Sequence, residues 1–194
     1  YKKKNYSLKK KLKFNGKKLI LFVGKLIDRK RPLDFLKLAS LCSKNKIFHF
    51  IMIGDGNLKK ECLKFIEDKK LNNITLVGFL NQKQLSEYYN MGDLLIMTSD
   101  YETWGLAINE AMASNLPVIC SDKCGAHIDM IKNYKTGFTY PNGDILNLYK
   151  KLNLIFDNKK LLAQIKKNVK NVISKFTAKN TVDSIKAILN EKKI

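Results

Sequence analysis

Residues 94–120 read LLIMTSDYETWGLAINEAMASNLPVIC, and they give the strongest indication of a fold class anywhere in the chain. The stretch begins with one apolar run, residues 94–97, and ends with another, residues 116–120. Short continuous apolar runs are typical of strands that are buried on both faces of a parallel sheet. Between them, residues 105–114 are rich in alanine, whose small side chain lets a helix pack closely on a sheet. The stretch therefore predicts a strand, a helix and a second strand in succession.

The same alternation continues along most of the chain, with short connections. Further strands are predicted at 19–23, 47–53, 74–77 and 137–140. Further helices are predicted at about 32–42, 57–69, 81–90 and 126–131. Apolar residues at steps of three and four then predict helices from residue 145 to the C-terminus. We expect an α/β fold with a doubly wound parallel sheet of about six strands, helices on both faces and a helical C-terminus.

Composition narrows the range of partners. The chain of 194 residues has 37 lysines and arginines against 17 acidic residues, a net charge of +20. Such a charge favours an anionic partner, such as nucleotide phosphates, acidic lipid head groups, nucleic acid or an acidic polymer, although it also fits a merely solvated basic surface. The four scattered cysteines include no CxxC pair and predict reduced thiols in a cytosolic protein. Because residue 1 is tyrosine and not methionine, we expect a piece of a longer chain.

Candidate binding groups lie in the loops that follow the predicted strands, where ligands bind in sheets of this type. Gly24 is followed by four cations in seven residues, and Lys25 and Lys30 could close on a diphosphate; a solvated basic loop is the alternative. Gly54 follows the second strand and marks a tight turn. The backbone of residues 78–80 could lie against a flat ring or form a plain turn.

Two glutamates flank the start of the helix at 105–114. The free backbone N–H groups near Trp104 would form an anion site at that start. Glu102 and Glu110 would be repelled there unless they accepted hydrogen bonds, and sugar hydroxyls are natural donors. We therefore expect Glu102 to bind a transferred sugar and Glu110 to bind a ribose, with an ordinary surface role for both as the alternative.

Five segments in the same order resemble the C-terminal, donor-binding domain of family 4 retaining glycosyltransferases of GT-B fold. The segments are VGKLIDRKRPLDFL, MIGDGNLKKEC, LVGFL, DLLIMTSDYETWGLAINEAMASNLPVICSD and KTGFTYPNGD, at residues 23–36, 52–62, 76–80, 93–122 and 135–144. The resemblance runs from about residue 18 to residue 176. It implies one Rossmann-like half of a GT-B fold and metal-independent transfer from a UDP-, GDP- or ADP-sugar with retention of anomeric configuration.

The resemblance also implies roles for individual residues. Lys25 and Lys30 match the basic pair on the donor diphosphate, although the family more often has arginine at the first position and glycine where Arg31 stands. Glu102 matches the acid near the donor sugar and Glu110 the acid on the ribose. With Glu102, Lys25 and Lys30 as catalytic residues, the implied donor-binding residues are Glu110, Gly24, Gly54, Phe79, Leu80, Thr103, Trp104, Gly105, Leu106 and Ala107; no metal ligand is expected.

The domain organisation follows from the same resemblance. We expect residues 1–17 to be a basic interdomain linker and residues 18–176 to be the donor-binding domain. Residues 177–194 would form a helix that crosses to an N-terminal acceptor domain, and without that domain the chain would transfer sugar weakly or not at all. The acceptor would be a saccharide or a lipid-linked glycan, and the protein would be cytoplasmic, either free or at the inner face of an anionic membrane. The alternatives are a non-catalytic nucleotide-sugar-binding subunit and a basic module for membranes or nucleic acid.

Overall fold

A computed structural model describes residues 6–191, so the expectations for residues 1–5 and 192–194 lie outside the described residues. Six parallel strands form one sheet in the order β3-β2-β1-β4-β5-β6. They span Lys18–Val23 (β1), Phe48–Ile53 (β2), Ile74–Gly78 (β3), Leu94–Met97 (β4), Val118–Ser121 (β5) and Gly137–Tyr140 (β6). The predicted Rossmann-like α/β class is therefore confirmed, including the sixth strand.

Nine α-helices lie within the described residues. They span Tyr6–Lys11 (α1), Pro32–Leu41 (α2), Lys59–Asp68 (α3), Gln82–Met91 (α4), Leu106–Ala113 (α5), His127–Met130 (α6), Ile145–Asp157 (α7), Lys159–Ile173 (α8) and Ala178–Glu191 (α9). Helix α2 contacts α3 and α7 in one layer, whereas α5 contacts α4 and α8 in the other. None of the helices in this part of the chain is long and apolar enough to cross a membrane.

The apolar runs that predicted the strands form the centre of the core. Leu19, Ile20 and Leu21 of β1 have no exposed surface, and neither do Leu94 and Leu95 of β4. Strand β1 is hydrogen-bonded to β2 on one side and to β4 on the other, so it lies in the interior of the sheet. A continuous apolar sequence is the pattern that a strand covered by helices on both faces requires.

Residues 6–17, which precede the first strand, contact the body of the domain. Helix α1 contacts α4, and Lys9 Nζ lies 2.9 Å from the carboxylate of Asp93. The same carboxylate oxygen accepts the backbone N–H of Leu19 at 3.0 Å. The Phe14 ring packs 4.6 Å from the His49 ring, measured between centroids. The segment is thus attached to the amino end of the sheet, while its interdomain role stays a prediction.

Other differences from the sequence-based expectations are local. Residues Asp28–Lys30 form a short 3-10 helix where only a loop was predicted. Strand β5 begins at Val118, two residues later than predicted, because Pro117 has no N–H to donate to a neighbouring strand. Its carbonyl oxygen nevertheless accepts the N–H of Leu95 at 3.0 Å, so the residue adjoins β4 without belonging to the ladder.

Candidate active site

The strand order places the site. The order in which the chain adds strands reverses between β1 and β4, and ligands of doubly wound sheets bind at the carboxyl ends of the two strands at such a switch point. Here the loops after β1 and β4 border a cleft of about 520 Å³. The predicted residues that line this cleft are Gly24, Lys25, Lys30, Glu102, Thr103, Trp104, Gly105, Leu106 and Ala107.

A second cavity of about 580 Å³ adjoins this cleft and shares Gly24 and Lys25 with it. It contains the three predicted residues that follow β2 and β3, namely Gly54, Phe79 and Leu80. The Phe79 side chain is 79% exposed, so its ring is open to a ligand. The segment assigned to a base and the segment assigned to phosphates are therefore neighbours across the loop that follows β1.

Glycine at position 54 allows the loops after β1 and β2 to touch. Gly54 has φ 146°, and a Cβ atom built there would lie 1.8 Å from the carbonyl oxygen of Gly24. The two loops are also hydrogen-bonded, since the Leu26 N–H donates to the Asp55 carbonyl at 2.9 Å. Gly56 makes a similar approach to Leu26, with a built Cβ only 2.4 Å from the Leu26 oxygen. The sequence predicted only a tight turn at Gly54. The structure shows that glycine is required there because of this close approach to Gly24.

Lys30 and Glu102 face each other across the cleft. The Lys30 ammonium group forms an ion pair with the Glu102 carboxylate, and both side chains are largely buried. Burial, and then the charge of Arg29, lower the pKa of Lys30, while nearby Cys124 opposes the shift. The sequence alone predicts that sugar hydroxyls relieve the repulsion on Glu102, whereas in the structure Lys30 already supplies a positive partner.

The loop that carries Glu102 is fixed by backbone contacts with residues 123–126. The Glu102 N–H donates to the Lys123 carbonyl at 3.2 Å, and the Gly125 N–H donates to the Glu102 carbonyl at 2.8 Å. A Cβ atom on Gly125 would lie 2.0 Å from the Thr103 oxygen, so only glycine fits there. Sequence reasoning missed Gly125, because a glycine in a connection between a strand and a helix is too common to single out.

Helix α5 begins at the floor of this cleft. Its N-cap residue, Gly105, has φ 99° and no side chain with which to cap the helix. The first N–H groups of α5, on Leu106 and Ala107, therefore adjoin the cleft that both residues line. These dipoles, with Lys25 and Lys30 on the other wall, suit a phosphate group.

Glu110 lies apart from the other acid. It lines a third cavity, of about 450 Å³, beside the connection between α8 and α9. Its Oε2 accepts the Tyr89 hydroxyl at 2.9 Å, and its Oε1 lies 3.5 Å from the Gln82 amide nitrogen. Gln82 begins α4, two residues after Leu80 of the second cavity. The two acids thus line different cavities, and the sequence did not predict the tyrosine and glutamine contacts to Glu110.

Arg31 and Thr98, for which the sequence predicted no binding role, hold the basic loop at residues 25–31 in place. Arg31 adopts the left-handed conformation (φ 48°, ψ 52°), and its Nε lies 2.6 Å from the buried Asp34 carboxylate. The Thr98 hydroxyl lies 2.7 Å from the Lys30 carbonyl oxygen and 3.0 Å from that of Arg31. Glycine adopts a left-handed backbone without strain, which explains why it is frequent at this position in the family that the sequence resembles. That frequency was the one sequence feature that pointed to an unusual backbone at Arg31.

A thiol pair lies behind the Lys30–Glu102 ion pair. Cys120 and Cys124 are both fully buried. A hydrogen bond from the Cys120 thiol lowers the pKa of Cys124 to about 7, and the same bond and burial raise the pKa of Cys120. Within residues 6–191, no group of three or more histidine, cysteine, aspartate or glutamate side chains is arranged to hold a metal ion.

The fold and the cleft define a Rossmann-like nucleotide-binding domain of the kind that forms one half of a GT-B enzyme. Residues 4–172 match the family of group 1 glycosyl transferases. The chain belongs to this family.

Individual proteins agree with this assignment. The chain is 29% identical over 175 residues to poly(ribitol-phosphate) alpha-N-acetylglucosaminyltransferase of Staphylococcus aureus. This match covers 88% of the present chain and 35% of that protein. Among solved structures, S. aureus TarM with fondaparinux, alpha-GlcNAc-glycerol and UDP has a TM-score of 0.80 and 27% identity, over 90% of this chain and 36% of that one. The chain thus spans about a third of the length of these relatives.

One similar structure consists of a single domain. The C-terminal domain of the group 1 glycosyl transferase LpcC from Francisella tularensis has a TM-score of 0.79 and 23% identity, over 90% of this chain and 92% of that one. At this identity the likeness concerns the fold alone. It agrees with the six-stranded sheet and its helices forming one structural unit.

Proposed function

We propose that the chain is the donor-binding half of a family 4 glycosyltransferase that uses a nucleoside-diphosphate sugar. The observation that carries the proposal is the cleft at the switch point, where Lys25, Lys30, Glu102 and the first turn of α5 meet. Two cations and a helix N-terminus suit a diphosphate, and a carboxylate suits the hydroxyls of a sugar. The adjoining cavity, with exposed Phe79, has a flat apolar wall suited to a base.

In this proposal the donor takes over the partners of the ion pair. The diphosphate accepts hydrogen bonds from Lys25, Lys30 and the first N–H groups of α5. Glu102 then loses its contact with Lys30 and accepts hydrogen bonds from sugar hydroxyls. Lys30 thus keeps an anionic partner, the diphosphate, and Glu102 keeps hydrogen-bond donors. Glu110 accepts from the ribose, and the backbone near Phe79 and Leu80 contacts the base.

The proposed reaction is glycosyl transfer with retention of configuration and without a metal ion. The bond between the anomeric carbon and the diphosphate oxygen breaks, and its electron pair stays on that oxygen. An acceptor hydroxyl oxygen bonds to the same face of the anomeric carbon, and its proton ends on the departing diphosphate. Lys25, Lys30 and the α5 dipole stabilise the negative charge that develops on the leaving group. Retention and metal independence rest on the resemblance to family 4.

A calorimetric titration tests the donor site directly. The chain is titrated with UDP, GDP, ADP and their glucose conjugates, beside the variant Lys30→Gln and the matched control Lys64→Gln on the exposed surface of α3. We expect one nucleoside diphosphate to bind saturably. We expect Lys30→Gln to weaken it roughly 10- to 100-fold, because a hydrogen bond to a charged group is lost. Absence of binding to all three by the folded chain, or equal loss in both variants, would refute the donor site.

The acceptor, partners and location are proposed on more general grounds. The acceptor would be a saccharide or a lipid-linked glycan bound through an N-terminal domain, without which transfer would be weak. The four described cysteines are free, which fits a reducing cytoplasm. Exposed lysines on α8, among them Lys159, Lys160 and Lys167, could contact an anionic membrane at about 1 kcal/mol each. Co-sedimentation with phosphatidylglycerol vesicles that does not fall with added salt, or no co-sedimentation, would contradict this contact.

A further inference from the structure

A buried tyrosine holds one oxygen of Glu110. Tyr89 lies in α4, is 2% exposed, and donates its hydroxyl to Glu110 Oε2 at 2.9 Å. The Glu110 Oε1 atom contacts only the side chain of Gln82 among the described hydrogen bonds, at 3.5 Å. The carboxylate therefore has one firmly bound oxygen and one weakly bound oxygen.

We infer that Tyr89 is a positioning residue that orients Glu110, so that the other carboxylate oxygen is presented to a ribose hydroxyl of the donor. The inference rests on the proposed function, since it requires that a nucleotide binds. It assigns a binding role to a residue that does not itself contact the ligand. It also predicts a specific loss when that residue changes, namely loss of discrimination between ribose and deoxyribose.

The need for such a residue follows from the chemistry of glutamate. A glutamate side chain has three rotatable bonds, and orienting it costs conformational entropy when the ligand binds. A hydrogen bond from a rigid, buried phenol fixes the carboxylate before the ligand arrives, which is preorganisation. Burial, and then the nearby charge of Glu110, raise the pKa of Tyr89, so the phenol keeps its proton and remains a donor.

The weakly held oxygen lies beside the first residue of α4, the helix that follows the segment assigned to the base. Gln82 is exposed and stands two residues after Leu80, which lines the cavity assigned to the base. A contact of 3.5 Å lies beyond the usual range for N–H···O hydrogen bonds, so a hydroxyl can replace it at little cost. We therefore expect the ribose of a donor whose base occupies the second cavity to reach Oε1 at the start of α4.

The test compares ribose and deoxyribose ligands in variants that keep the ring. Calorimetry gives the dissociation constants of UDP, 2′-deoxy-UDP and 3′-deoxy-UDP, or the corresponding GDP or ADP set if another base binds. The proteins are wild type, Tyr89→Phe, Glu110→Gln and the control Tyr88→Phe. Tyr88 is the neighbouring, partly buried tyrosine of α4. Phenylalanine keeps the packed ring, and thermal unfolding verifies that each variant is folded.

Wild type is expected to bind one deoxy ligand roughly 10- to 100-fold more weakly than the ribose form, because a hydrogen bond to a charged oxygen is absent. Tyr89→Phe and Glu110→Gln should both reduce that ratio towards one, whereas Tyr88→Phe should keep it. A merely structural role for Tyr89 would weaken all ligands equally and leave the ratio unchanged, which would overturn the inference. A wild-type ratio near one would also overturn it, and failure of wild type to bind any ribonucleotide would refute the proposed function as well.

Discussion

Replacing Gly54 by alanine should disrupt the contact between the loops that follow β1 and β2. The new Cβ would lie 1.8 Å from the Gly24 oxygen, about 1.5 Å closer than a normal contact between carbon and oxygen. Relief requires the loops to separate, which strains the bond from Gly54 N–H to the Gly78 carbonyl, now 2.8 Å long. Alanine is also unfavourable at φ 146°. Overpacking and backbone strain together should lower the free energy of unfolding by roughly 3 to 5 kcal/mol.

Urea unfolding followed by circular dichroism measures this change. Gly16→Ala is the matched control, because Gly16 has φ 73° but nothing within 4 Å of a built Cβ. It should lose only the backbone term, about 1 to 2 kcal/mol. Equal losses at the two positions would show that the approach of Gly54 to Gly24 does not constrain the fold, and the reasoning would be wrong.

Two further predictions concern the amino end of the sheet. Asp93→Ala should lower the free energy of unfolding by roughly 2 to 3 kcal/mol, because the buried N–H of Leu19 and the Lys9 ammonium lose their shared acceptor. Urea unfolding measures the loss, with Asp68→Ala at an exposed position as the control. Burial, and then Lys17, lower the pKa of His49 below its ordinary 6.5, so the unfolded chain takes up a proton at higher pH than the folded one. Stability should therefore fall as the pH drops below about 6.5, and His49→Gln should lose less stability than wild type between about pH 7.5 and pH 5.5. An identical pH dependence in both proteins would contradict this assignment.

Strands and long helices could be predicted because their sequence patterns are local. The run at 19–23 is apolar at every position, and the structure buries residues 19–22 of it. The helix predicted at about 81–90 begins as expected, because the Asn81 side chain accepts the Gln84 N–H in a complete capping box. Helix α1 escaped prediction because its attachment depends on Asp93, which is distant in sequence. A lysine-rich segment gives no local sign of a buried carboxylate that it will meet.

The site was predictable in its parts and not in its arrangement. The cations after β1 and the acids around α5 were recognisable as residue types at particular distances along the chain. That Lys30 would pair directly with Glu102 depends on the adjacency of β1 and β4, which follows from strand order and not from spacing. The Tyr89–Glu110 bond likewise joins α4 to α5 and has no signature in either helix alone.

The chain has a single tryptophan, and it stands at the wall of the cleft. The Trp104 indole donates to Asn109 at 2.7 Å, and its ring centroid lies 6.0 Å from that of Phe176, between α8 and α9. All indole fluorescence of the chain therefore comes from one wall of this cleft. Its emission is an intrinsic optical reporter of ligand entry and of displacement of the α8–α9 connection, and it needs no attached dye.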